Sequence, residues 1–124
     1  YILLADALAN SGRGKNGERI LSPSALHLMR TNMLNEKQLE MFRSSVSSYM
    51  RGYGYGYGVR VGMQPASCGL LSSVGEFGWD GARQCYLLAD PAKHLAVFHA
   101  EQMGHFHAVV LPRLCNLIYG ALDI

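Results

Sequence analysis

Apolar residues stand three or four positions apart at Leu26, Met29 and Met33 and again at Leu39, Phe42 and Val46, and from Tyr53 to Val61 they recur at every second position. The first spacing lines one face of a helix and the second one face of a strand. Residues 2–9, ILLADALA, are strong helix formers and predict a helix, which NSGRGKNG ends because Asn and Gly favour turn and left-handed geometry. A second helix is predicted over 23–32. Ser22 is a good N-cap, Pro23 suits the first helical position, Leu21 and Leu26 can staple the entry, and Leu26, Met29 and Met33 continue one stripe. Asn35 with Gln38 three residues on, and Leu34 with Leu39, repeat that start signal, and Leu39, Phe42 and Val46 share a face of a third, short helix. The small polar stretch around Ser47 and Ser48 reads as a loop.

The alternation RGYGYGYGVRVGM predicts one strand with Tyr53, Tyr55, Tyr57, Val59 and Val61 on one face and Gly54, Gly56, Gly58, Arg60 and Gly62 on the other. Glycine inside a strand often marks the close approach of another backbone or a ligand. QPASCGLLSSVG reads as a loop, EFGWDGA as a short strand, and QCYLLAD and HLAVFHAEQ as a hairpin joined by DPAK. Val110, Leu114, Leu117, Ile118, Ala121 and Leu122 return to helical spacing, with Pro112 opening or kinking that helix. The whole predicts one α+β domain over residues 1–124: helical over 1–46, an antiparallel sheet of three to four strands within 53–102, and a C-terminal helix over 106–122 covering one sheet face.

Composition narrows the function more than the fold. The 124 residues carry a net charge of only +2, which offers no electrostatic argument for nucleic acid. Arg51 and Arg60 are the only cations beside the Tyr-Gly run, so an aromatic platform for single-stranded bases lacks its positive groove. No apolar run is long enough to span a membrane. The first residue is Tyr1 rather than Met, which suggests a processed product or an excised piece. Cys68, Cys85 and Cys115 are an odd set at wide spacing, and we expect reduced thiols in a cytoplasmic protein.

Candidate chemistry is sparse. SGRGKNG lacks the spacing and the hydroxyl of a phosphate loop. His99, Glu101, His105 and His107 are the densest ligand-type group, but they span a strand end and a loop, and zinc needs three or four converging ligands. We expect solvent-facing histidines there, no metal site and no cofactor. No Ser stands three residues before any lysine, and no Gly-x-Ser-x-Gly elbow occurs.

Taken in order, GRGKNGERILSPSALHLMRTNML, GYGYGVRV, GEFGWDGA and YLLADPAKHLAVFHAEQ resemble the C-terminal part of the serine beta-lactamase-like family. That family holds class C beta-lactamases, penicillin-binding proteins and related esterases. The resemblance covers nearly the whole chain, and GEFGWDGA is similar to the esterase-like branch, with Trp-x-Gly in place of Lys-Thr-Gly. It implies a partial beta-lactamase/transpeptidase-like fold. It also implies that Trp79, Asp80 and Gly81 form a substrate-binding wall, with Ala82 offering a backbone N–H to the oxyanion hole. Losing one such donor typically costs ~10²–10³ in rate. Arg83, Gln84 and Cys85 depart from the small residues usual after that motif. The family's Ser-x-x-Lys nucleophile and Tyr-x-Asn/Ser base motifs have no counterpart here. The resemblance therefore implies a C-terminal fragment of a serine hydrolase that acts on a small acyl substrate, inactive alone. The alternatives are a non-catalytic binding or structural module of the same descent and, least favoured, an enzyme with an unrelated site such as the histidine group. Under the family reading the tyrosines pack beneath covering helices. The expected partner is the missing N-terminal part or a second copy, joined along the HLAVFHAEQ or YGYGYGVRV strand or by exchange of helix 110–122.

Overall fold

The computed structural model describes residues 1–104 and 107–122. Its order is α1 (Ile2–Ala9), α2 (Pro23–Met29), α3 (Glu36–Ser45), β1 (Tyr53–Tyr55), β2 (Arg60–Gly62), β3 (Phe77–Asp80), β4 (Tyr86–Asp90), β5 (Leu95–His99) and α4 (His107–Gly120). Short 3-10 turns at Ser48–Met50 and Pro65–Cys68 interrupt the two segments expected to be loops. The chain is α+β, with five strands rather than three or four in one antiparallel sheet ordered β1-β2-β3-β4-β5. No helix among the described residues is long and apolar enough to cross a membrane.

The start signals of the helices act as their residue types predict. The Ser22 hydroxyl accepts from Ala25 N–H at 3.1 Å. At α3, Asn35 Oδ1 accepts from Gln38 N–H at 3.0 Å while Gln38 Oε1 accepts from Asn35 N–H at 3.0 Å, a reciprocal capping box. Helix α2 ends at Met29, short of residue 32, so Met33 leaves the stripe and stands exposed. The reason lies in the Tyr-Gly run: Met29 O accepts from Tyr57 N–H at 3.0 Å, and Met33 N–H donates to Tyr55 O at 2.9 Å. Residues 29–33 therefore lie along β1 instead of continuing the helix. The glycines let them in, for a Cβ on Gly56 would stand 2.1 Å from Met29 O and one on Gly54 2.4 Å from Asn32 Oδ1.

The alternating run is a hairpin, not one strand. It turns at Gly56–Val59, with Gly56 N–H donating to Val59 O at 2.8 Å and Gly58 at φ 75°, a conformation that suits glycine. The turn resets the phase of alternation. Tyr55 pairs with Arg60, so Arg60 shares the face of Tyr53 and Tyr55, Val59 and Val61 face the other way, and Tyr57 is exposed. The expected division into a tyrosine–valine face and a bare face with Arg60 is corrected accordingly.

Each sheet face has its own core. On one, Tyr53, Tyr86 and Leu88 pack with Leu111, Cys115 and Tyr119 of α4 and with Tyr49 and Met50. Helix α4 covers that face as expected, with Pro112 inside it rather than at its start. On the other face Val59, Val61, Phe77 and Ala89 pack with Leu8 and Ala9 of α1 and Leu26 of α2.

The α4 side also holds a buried charged layer. Arg60 and Glu76 are both fully buried, with Arg60 Nη2 3.9 Å from Glu76 Oε2. The guanidinium carbon lies 4.6 Å from the Tyr86 ring centre, a cation–π contact. Burial alone would lower the Arg60 pKa; Tyr86, Glu76, Tyr53 and Asp80 instead hold it above its ordinary value, so it stays charged. Tyr53 hydroxyl donates to Glu76 Oε1, and Ser72 Oγ donates to the same oxygen at 3.3 Å. Burial raises the Glu76 pKa against the opposing pull of Arg60 and Tyr53. The Tyr119 hydroxyl donates to Asp90 Oδ2 at 2.6 Å.

Candidate functional site

Opposite the charged layer, an open apolar groove of about 450 Å³ lies between α1 and the sheet. Helix α1 contributes Leu4 and Leu8, α2 contributes Met29, and the sheet contributes Phe77, Trp79, Leu87 and Phe98. The register explains the grouping, since Trp79 pairs with Leu87 and Leu87 with Phe98, placing the three side by side on one face. The Tyr1 ring stacks on Phe98 at 5.3 Å and forms part of the wall. Asp80, Gly81 and Cys85, at the β3–β4 turn, close one end of the groove.

The structure thus brings Trp79, Asp80 and Gly81 to one groove and leaves Ala82 just beyond it, exposed. Trp79 meets Tyr55 edge-on at 5.2 Å, and Tyr55 in turn tilts against Phe42 at 5.8 Å, so an aromatic row steadies the indole. The Asp80 carboxylate turns to the other side of the sheet, where Oδ2 accepts from Tyr49 hydroxyl at 3.1 Å. Burial first, and Asp80 second, push the Tyr49 phenol above its usual range, so it stays a donor. Gly81 N–H donates to Cys85 O at 2.7 Å and Gln84 N–H to Gly81 O at 2.9 Å. Among the described residues, Ala82 N–H takes no part in these turn bonds. Arg83 does not line the groove; its Nη1 lies 3.5 Å from where a Cβ on Gly104 would stand.

The histidine group converges only in part. His99 Nε2 lies 3.3 Å from Glu101 Oε2. His105 lies outside the described residues, and His107 enters only as the first residue of α4. Among the described residues no three His, Cys, Asp or Glu side chains are grouped to hold a metal ion. Cys68, Cys85 and Cys115 are free thiols, and burial pushes Cys115 up to about 11, away from nucleophilic use.

Of the residues lining the groove, Trp79, Asp80 and Gly81 were expected from the sequence, whereas its α1 half and the Tyr49–Asp80 bond were not. The available signal was that ILLADALA is apolar on most sides, more than one buried face of a short helix requires. The fold and groove define an α+β chain with an open apolar site at the end of a central strand. No protein-family model matches the chain, and none of the curated proteins matches it significantly.

Proposed function

We propose that this chain supplies one wall of an acyl-transfer site of the serine beta-lactamase-like kind, its nucleophile being provided by another segment. The observation that carries the reading is the placement of Trp79, Asp80 and Gly81 along one apolar groove, with Ala82 N–H beside it and outside the turn bonds. In this reading Trp79 and Leu87 hold the apolar part of a small ester or amide, and Ala82 N–H faces the carbonyl oxygen on which charge develops. The lysines at 15, 37 and 93 have no serine three residues before them, so the chain has no Ser-x-x-Lys of its own. Its three free thiols suit a reducing compartment such as the cytoplasm.

Two measurements test the proposal. Titrating the labelled protein with a short-chain nitrophenyl ester should move the Trp79 indole and the Gly81 and Ala82 amide resonances; shifts confined to other elements would remove the site. The same ester and a chromogenic cephalosporin should not be turned over by the chain alone. Turnover abolished by a serine-reactive phosphonate would show that the nucleophile is already here. A non-catalytic module, favoured by the mostly apolar lining, would bind the ester's apolar part without moving Ala82 N–H.

A further inference from the structure

The sheet has two edges, and the chain treats them differently. Beyond β1, residues 29–33 close the edge through the Tyr57–Met29 and Met33–Tyr55 bonds. Among the described residues, β5 hydrogen-bonds to β4 alone and has no such cover on its outer side. An uncovered edge is a template for pairing, and proteins usually blunt it with charge, proline or a bulge. Strand β5 has none of these: LAVFH carries no Lys, Arg, Asp, Glu or Pro, and its pairing with β4 runs unbroken from Leu95 to His99.

We propose that β5 is the seam of a two-fold dimer, paired antiparallel with β5 of a second copy about Val97. This register uses all five residues of the strand. It sets Ala96 opposite Phe98 of the second copy, small against large, and Val97 opposite itself. The flanks favour the antiparallel sense. Glu101 follows the strand in each copy, so this pairing holds the two carboxylates at opposite ends of the seam, whereas a parallel one sets them side by side. The two-fold axis stands perpendicular to the sheet, so both α1 helices lie on the same side of the seam. There the exposed Ile2, Leu3 and half-exposed Phe98 of each copy continue one apolar strip across it. The proposal rests on the edge and does not depend on the hydrolase reading.

Sedimentation and hydrogen exchange over a range of micromolar concentrations test it. Wild type should sediment as twice the chain mass, with β5 amides exchanging more slowly as concentration rises. Phe98→Lys adds a charge to the seam and should weaken association about tenfold or more, while Leu117→Lys on the exposed side of α4 should not change it. If Phe98→Lys fails to fold, judged by circular dichroism, the wild-type exchange pattern decides alone. A monomer at every concentration overturns the proposal and leaves the edge to a strand of another kind. So does a dimer whose concentration-dependent protection lies outside β5.

Discussion

Replacing Gly56 by alanine tests whether the Tyr-Gly run exists to admit residues 29–33. The new Cβ would stand 2.1 Å from Met29 O and 3.0 Å from Thr31 O, both backbone atoms, so no rotamer change relieves it. The segment must retreat by roughly an ångström, since Cβ contacts under 3.0 Å essentially never occur. That breaks the 3.0 Å Tyr57–Met29 bond and strains the 2.9 Å Met33–Tyr55 bond. At about 0.5–1.5 kcal/mol for each hydrogen bond, with further loss from loosened packing, the expected cost is about 2–3 kcal/mol. Gly58→Ala is the internal control. Nothing lies within 4 Å of its Cβ, and its φ of 75° costs only the left-handed strain of roughly 1–2 kcal/mol. Urea unfolding followed by far-UV circular dichroism measures both. Equal losses, or a Gly56→Ala loss under about 0.5 kcal/mol, would refute the close-approach account and return the glycines to mere turn formers.

Two further outcomes follow from local chemistry. Asn35→Ala removes half of the reciprocal cap of α3 and should cost about 1 kcal/mol in the same unfolding assay; no measurable change would mean the first turn of α3 is not held by its cap. Burial raises Glu76 above its unfolded value of 4.5, so the folded state holds that proton to higher pH, and the stability this lends is present below 4.5 and lost as pH rises through the folded value. Wild-type stability should therefore fall relative to Glu76→Gln on going from pH 4 to 8, by at most about 1.4 kcal/mol per pH unit, and a pH-independent difference would refute it.

How far the sequence reached depends on whether a feature is set by neighbours in the chain or across the fold. The capping box at Asn35 and Gln38, the N-cap at Ser22 and the hairpin from Tyr86 to His99 are local, and each was legible from residue types and spacing. The end of α2 was not, because Met29 gives its carbonyl to Tyr57, a partner distant in sequence. The Tyr-Gly run misled for a related reason. Its period of two continues through the Gly56–Val59 turn, so alternation alone cannot show that the chain reverses there and changes the face of Arg60. A buried arginine is also illegible locally, since its tolerance comes from Glu76, Tyr53 and Tyr86, which three separate segments bring to it. At the candidate site the motif residues Trp79, Asp80 and Gly81 were found together, while the facing wall from Tyr1, Leu4 and Leu8 follows only from α1 packing over β4 and β5.

The two unusual features of the molecule, the apolar groove and the buried charged layer, meet on β3. Alternation sends Phe77 and Trp79 to the groove, and Glu76 and Asp80 to the face of Arg60 and Tyr49. A slip of one residue would put two carboxylates into an apolar groove and an indole into the charged layer, each unfavourable by several kcal/mol. The register of β3 against β4, with Phe77 opposite Ala89 and Trp79 opposite Leu87, is therefore held from both faces at once. Gly78 tightens it further, for a Cβ there would meet Leu87 O at 1.9 Å, so no other residue fits at that position of the register. A charged layer under the sheet stabilises little by itself, because desolvation offsets most of the attraction. Its consequence lies in specificity: it fixes which way Trp79 points, and with it the wall on which the proposed site depends.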